Sequence, residues 1–111
     1  MALVEQLSSL YAKGDIEAFL ALFSDDAHIE HGGKDRIRAD YGDLFQSTAA
    51  RQIYVWDMNW TPTGDGAYRG QGKYEAKVVR KGEDQAHVYD GNIKIEVVQV
   101  NGAPLVRSML H

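Results

Sequence analysis

The sequence predicts an α+β fold, with helices first and a largely antiparallel meander of strands afterwards. Three observations predict it. Apolar residues recur at helical spacing as far as Ser47, whereas after Thr48 they recur at every second position. The second half is also punctuated by turn signals: Thr61-Pro62-Thr63-Gly64-Asp65-Gly66, Lys81-Gly82-Glu83-Asp84 and Asn101-Gly102. The last of these is the strongest short hairpin signal in the chain.

Leu3, Val4, Leu7, Leu10 and Tyr11 give a first helix its apolar face. Gly14 can take the left-handed conformation that closes it, having no Cβ to clash. Asp15 then serves as N-cap of a second helix, whose stripe is Ile16, Phe19, Leu20 and Phe23. Ser24-Asp25-Asp26 ends that pattern, because these side chains compete for backbone hydrogen bonds. His28 to His31 alternate as a strand does. After Gly32-Gly33 a third helix is expected over Lys34 to Ser47, with Ile37, Tyr41, Leu44 and Phe45 inward and Arg36, Arg38, Asp40 and Asp43 outward. Gly42 weakens it by about 1 kcal/mol relative to Ala. Strands follow over Gln52 to Trp60, Ala67 to Arg80, Gln85 to Val100 and Leu105 to Leu110. The pair Val97-Val98 breaks alternation and marks a bulge.

The order Gly14-Asp15 between helices and Asp25-Asp26-Ala27 before a strand resembles the nuclear-transport-factor-2-like (SnoaL-like) superfamily, and the likeness extends over nearly the whole chain. The resemblance implies a strongly curved sheet wrapped around the helices as a cone, with a pocket at its open end. It says little about activity, since the superfamily includes isomerases, dehydratases, hydrolases, carriers and oligomerisation modules.

A chain of 111 residues is expected to form one domain, 1–111, with too little length for two cores. Hydrophobic residues at 44% and charged residues at 25% are those of an ordinary globular protein. The net charge of −4, with basic residues interspersed among acidic ones, argues against nucleic acid as a partner. Cysteine is absent, which excludes disulfides, thiolate ligands and thiol nucleophiles. No apolar run approaches the roughly 20 residues of a membrane span. Met1-Ala2-Leu3-Val4 lacks the basic start of a signal peptide, so a cytoplasmic location is expected.

Strand parity sorts the polar groups. Tyr68, Gly70, Gly72, Tyr74, Ala76 and Val78 share an inner face, opposite the charged face of Arg69, Gln71, Lys73, Glu75 and Lys77. The glycines there either let the sheet bend or leave room for another group. By the same rule His87, Tyr89, Gly91, Ile93, Ile95 and Val97 face inward. Tyr11, Tyr41, Tyr74, His87 and Tyr89 are the expected ligand contacts. Strand Gln52 to Trp60 is apolar on both faces, so both should be covered. Tyr54, Trp56, Met58 and Trp60 are assigned to a homodimer interface formed through the sheet, because family members commonly pair that way. Ile53, Val55 and Asp57 then face inward, and Asp57 becomes an acid partner for His31.

His31 stands where ketosteroid-isomerase-like members of the superfamily carry a proton-abstracting Asp. The resemblance therefore makes His31 the candidate general base, a role suited to imidazole. It also implies an oxyanion-stabilising Tyr seven residues before Gly14, where this chain has Leu7. A second acid would fall near Glu96, which parity turns outward. Steroid isomerisation is not expected. His28 and His31 lie on opposite strand faces, so no metal site is expected, and no nucleotide or metalloprotease motif implies a cofactor. The sequence supports a non-catalytic pocket for a small apolar ligand, or a dimerisation and assembly module. The alternative is a small-molecule isomerase, dehydratase or hydrolase using His31, assisted by Tyr74, Tyr89 or Asp57.

Overall fold

The computed structural model describes residues 2–111. Helix α1 (Ala2–Lys13) buries Leu3, Val4, Leu7 and Tyr11. It ends at Gly14, whose φ of 72° lets its N–H reach back to the Leu10 carbonyl at 3.0 Å. Asp15 caps α2 (Ile16–Leu20), accepting from the Ala18 N–H at 3.1 Å.

Helix α2 is shorter than its apolar stripe. Phe23 does not continue it but opens strand β1 (Phe23–Ile29), so Ser24, Asp25 and Asp26 lie within a strand. Aromatic packing explains the change. Phe19 and Phe23 meet at 5.3 Å between centroids, and each is buried to within 2%. The chain has turned between them, and the four-residue spacing reflects a shared core rather than a shared helix. Ser24 Oγ donates to Asp26 Oδ1 at 2.7 Å, which occupies locally the groups expected to break the chain.

A two-residue strand β2 (Gly32–Gly33) leads into α3 (Lys34–Ser47), with the bounds the periodicity predicts. Four long strands follow: β3 (Thr48–Pro62), β4 (Tyr68–Arg80), β5 (Ala86–Val100) and β6 (Ala103–Leu110). They form one curved six-stranded sheet in the order β2-β1-β6-β5-β4-β3. All neighbours are antiparallel except β1 and β6, which run parallel. The helices lie on its inner face, where Ile93, Ile95, Val97, Val106 and Met109 close the core against Leu3, Phe19, Phe23 and Ile37.

Of the register shifts in the sheet, two decide which of the following side chains face inward. On β3, Trp56 pairs with Lys73 but the next partners are Asn59 and Gln71, so Asp57 and Met58 together oppose Gly72. Asp57 takes up the extra residue at φ 56°, a conformation that Asp tolerates better than most side chains. Parity reverses there. Tyr54 and Trp56 remain on the outer face, while Met58 and Trp60 cross to the inner one and pack on the core. The expected four-residue face of Tyr54, Trp56, Met58 and Trp60 is thus split in two. Glycines on β4 make room for the crossing: a Cβ at Gly70 would come within 2.7 Å of the Trp60 ring, and one at Gly72 within 2.7 Å of the Trp56 carbonyl oxygen. The second irregularity falls between Glu96 and Val97, one residue from the predicted place, but the extra residue is Arg107 of β6.

Arg51 ties the helices to β3. Its Nε donates to the Tyr11 carbonyl at 3.0 Å and its Nη2 to the Ala12 carbonyl at 3.3 Å, at the C-terminus of α1. Nη1 reaches Thr48 Oγ1 at 2.6 Å and the Phe45 carbonyl at 3.4 Å, at the C-terminus of α3. One guanidinium therefore meets the negative ends of two helix dipoles.

Candidate functional site

Between the helices and the inner face of the sheet lies a cavity of about 600 Å³. Its walls are largely apolar, with Leu7 from α1, Leu44 from α3, Ile53 and Val55 from β3, Ala76 from β4, Ile93 and Ile95 from β5, and Met109 from β6. Four tyrosines open on it: Tyr11, Tyr41, Tyr74 and Tyr89. Glu30, His31, Asp40, Arg80 and His111 complete the polar lining.

The aromatic groups hold one another in place. Tyr41 packs on Phe19 at 5.0 Å between centroids and edge-on against Tyr11 at 6.4 Å. Tyr74 meets the His111 ring edge-on at 5.2 Å. Tyr41 Oη and His111 Nε2 are 3.3 Å apart, and the backbone N–H of His111 donates to Glu30 Oε2 at 3.0 Å. The turn after β1 and the residue after β6 are thereby joined beside the tyrosines.

Tyr11 differs from Tyr41. Its side chain is 6% exposed, yet its hydroxyl makes no hydrogen bond among the described residues and opens on the cavity. Burial raises the pKa of Tyr11, an effect that Arg51 partly offsets and that Tyr89 and Tyr74 reinforce. Burial likewise raises Tyr41, helped by Tyr11, Glu30, Asp40 and Tyr74; Tyr74 rises through burial and the charges of Asp90 and Glu30. The three phenols are therefore neutral hydroxyls at physiological pH, able to donate or accept. For Glu30, burial works toward a higher pKa. The His111 amide, the residue's own backbone N–H and the nearby imidazoles of His111 and His31 outweigh it and hold the carboxyl below its usual range.

Tyr11, Tyr41, Tyr74 and Tyr89 thus line one cavity. His87 does not join them: it is exposed and pairs with Glu83 at 3.0 Å, because the helical layer covers β3 but not this end of β5. His31 sits in the turn after β1, exposed at the cavity rim rather than ending a strand. Asp57 is exposed at the β3 bulge and outside the cavity lining, so the expected pairing of Asp57 with His31 does not form. Asp40, expected to point away, pairs with Arg36 at 3.1 Å and also reaches the cavity lining. Glu96 faces outward as parity predicts, bound to Arg107 at 2.5 Å and Arg69 at 3.2 Å.

Glu30 and His111 were not expected in the site. A signal for His111 exists in the sequence, since it stands two residues beyond the inward-facing Met109. The bulge at Arg107 hides it by resetting the parity of β6. Among the described residues no group of three or more His, Asp or Glu is arranged to hold a metal ion, and no helix is long and apolar enough to cross a membrane.

By sequence, no family model and no curated protein matches the chain. Solved structures match it closely in shape. A candidate scytalone dehydratase from Novosphingobium aromaticivorans superposes with a TM-score of 0.90 at 13% identity, over 98% of this chain and 77% of that one. A nuclear-transport-factor-2-like superfamily protein from Salmonella enterica gives 0.83 at 15% identity, over 98% and 84%. The fold is nuclear-transport-factor-2-like. A candidate aromatic ring hydroxylase from N. aromaticivorans shares it, with a TM-score of 0.88 at 17% identity, over 98% and 82%. Identities this low carry the nuclear-transport-factor-2-like architecture from one chain to another, and an activity has to be argued from the site itself.

Proposed function

We propose that the protein binds a small molecule with a flat apolar body in the cavity between its helices and its sheet. The observation that carries this reading is the largely buried Tyr11, whose hydroxyl, without a partner among the described residues, opens on a space of about 600 Å³ with largely apolar walls. Pockets of this size, with apolar walls and few convergent polar groups, suit single small ligands. Titration calorimetry with naphthalene-based probes tests it. Ala76→Phe and Leu44→Phe, which fill the cavity from two sides, should each abolish binding. Absence of binding at millimolar probe, or binding that survives both variants, would overturn the reading.

Catalysis of proton transfer on the bound molecule is the second reading. It is favoured by the 3.3 Å approach of Tyr41 to His111 and by the rim position of His31. The name of one fold neighbour, a candidate scytalone dehydratase, points the same way. An imidazole would take a proton from an acidic C–H and return one from solvent. Incubation with 2-tetralone in D₂O, followed by NMR, should show deuterium entering beside the carbonyl faster than in buffer, and His111→Ala or His31→Ala should remove the excess. Exchange at the buffer rate would dismiss this reading.

The outer face of the sheet is proposed to pair two copies of the chain. Tyr54 is 55% and Trp56 43% exposed there, next to the cross-strand residues Glu75 and Lys73. A twofold axis can set each Lys73 against the other copy's Glu75, with the aromatic rings between. Sedimentation should show a dimer at micromolar concentration that Trp56→Glu dissociates; a monomer in the parent protein would refute the pairing.

A further inference from the structure

The rim of the cavity is acidic, and its apolar walls do not account for that. Glu30 and Asp40 both line it; Asp40 is paired with Arg36 at 3.1 Å, whereas Glu30 accepts from the neutral backbone N–H of His111 at 3.0 Å. Among the described residues, the only Arg or Lys in the lining is Arg80. It pairs in register with Thr48, which follows the last turn of α3, whereas Asp40 lies at that helix's middle. At 1.5 Å per residue, about 12 Å of helical rise separates Asp40 from Thr48. His31 and His111 face the same rim. Tyr41 and Tyr74 are close enough to Glu30 to feel its charge, and the face of an aromatic ring is its electronegative part. The raised pKa of Tyr74, to which Asp90 and Glu30 contribute after burial, is a second sign of a negative local field. The hydroxyl of Tyr11, at the cavity end of a largely buried side chain, supplies a polar group without a hydrogen-bond partner among the described residues.

From this arrangement we infer that the pocket selects a protonated amine carried on the flat apolar body, with the ammonium at the Glu30 rim between Tyr41 and Tyr74. The inference rests on the reading of the cavity as a ligand pocket. A carboxylate near the rim supplies the Coulomb attraction, the tyrosine rings add cation–π contact, and the Tyr11 hydroxyl bonds a polar atom on the ligand body. An anion of the same shape meets repulsion from Glu30.

Three probes of nearly one shape separate the possibilities: 1-naphthylmethylamine, 1-naphthylmethanol and 1-naphthoate, titrated calorimetrically at neutral pH and low salt. The amine should bind about tenfold more tightly than the alcohol, and the carboxylate more weakly than either. Glu30→Gln should bring the amine's affinity down toward that of the alcohol. Molar salt should compress the same preference in the parent protein, which keeps the test valid should that variant fail to fold. Equal binding of amine and alcohol would overturn the charge preference while leaving the pocket reading intact. A preference that survives both Glu30→Gln and high salt would overturn it as well. Failure of all three probes would overturn the pocket reading together with the inference built on it.

Discussion

The hydroxyl of Tyr41 lies 3.3 Å from Nε2 of His111, joining α3 to the residue that follows β6 across 70 positions of chain. Tyr41→Phe keeps the packing on Phe19 and Tyr11 and removes only this bond. Its expected cost is about 1 kcal/mol, typical of a single net hydrogen bond. Urea unfolding measures the loss, and the His111 ring resonances should shift in the same variant. Unchanged ring resonances would show that the two groups are not bonded in solution.

Glycine at position 72 is a steric requirement of the β3 bulge. In Gly72→Ala the new Cβ would sit 2.7 Å from the Trp56 carbonyl oxygen, an atom of the backbone that cannot step aside. A loss of about 1–3 kcal/mol is expected, as for overpacked cores. Gly70→Ala meets the Trp60 ring instead, so combining it with Trp60→Ala should recover part of the loss in a double-mutant cycle.

Arg51 gives the clearest long-range stability prediction. Replacing it with Met keeps much of the stem but leaves the Tyr11, Ala12 and Phe45 carbonyls without their charged donor. The expected destabilisation is about 2–4 kcal/mol, because hydrogen bonds to charged groups exceed neutral ones. Equilibrium denaturation measures it. Lys, with one point charge in place of a fork, should recover only part.

Acid should loosen the outer face of the sheet. Hydrogen bonds from Arg107 and Arg69, together with their charges, hold the Glu96 carboxyl below its usual range despite some burial. A group depressed on folding contributes stability that is fully present above its unfolded pKa, near 4.3, and is lost as pH falls through the folded value. The parent protein should therefore exceed Arg107→Ala in stability at neutral pH, and the gap should narrow as the pH falls below about 4. A gap independent of pH would rule out Glu96 as its source.

Much of the fold is legible because its signals are local. The i, i+4, i+7, i+8 stripe of Ile37, Tyr41, Leu44 and Phe45 carries the bounds of α3 within itself, and Asn101-Gly102 carries the β5–β6 hairpin. Gly14 and Asp15 end one helix and start another through their own backbone and side-chain chemistry. Inward parity on β4 likewise brings Tyr74, Ala76 and Val78 to the inner face.

Tertiary structure alone decided the rest, because those features depend on partners far away in the chain. Phe23 has the spacing of a helix, but β1 claims it through parallel pairing with β6, where Phe23 meets Val106. Nothing within Tyr54 to Trp60 marks the bulge at Asp57. It depends on glycines of the opposing strand that admit Met58 and Trp60, and it moves Asp57 out of the site in which parity had placed it. Glu30 and His111 stand 81 positions apart and meet only when β1 and β6 lie side by side. The sequence by itself determined which segments are helices and strands and which faces are apolar, since periodicity and turn chemistry act over a few residues. Which polar groups share the cavity was decided by strand pairing and by two bulges, since one extra residue in a strand reverses every side chain beyond it.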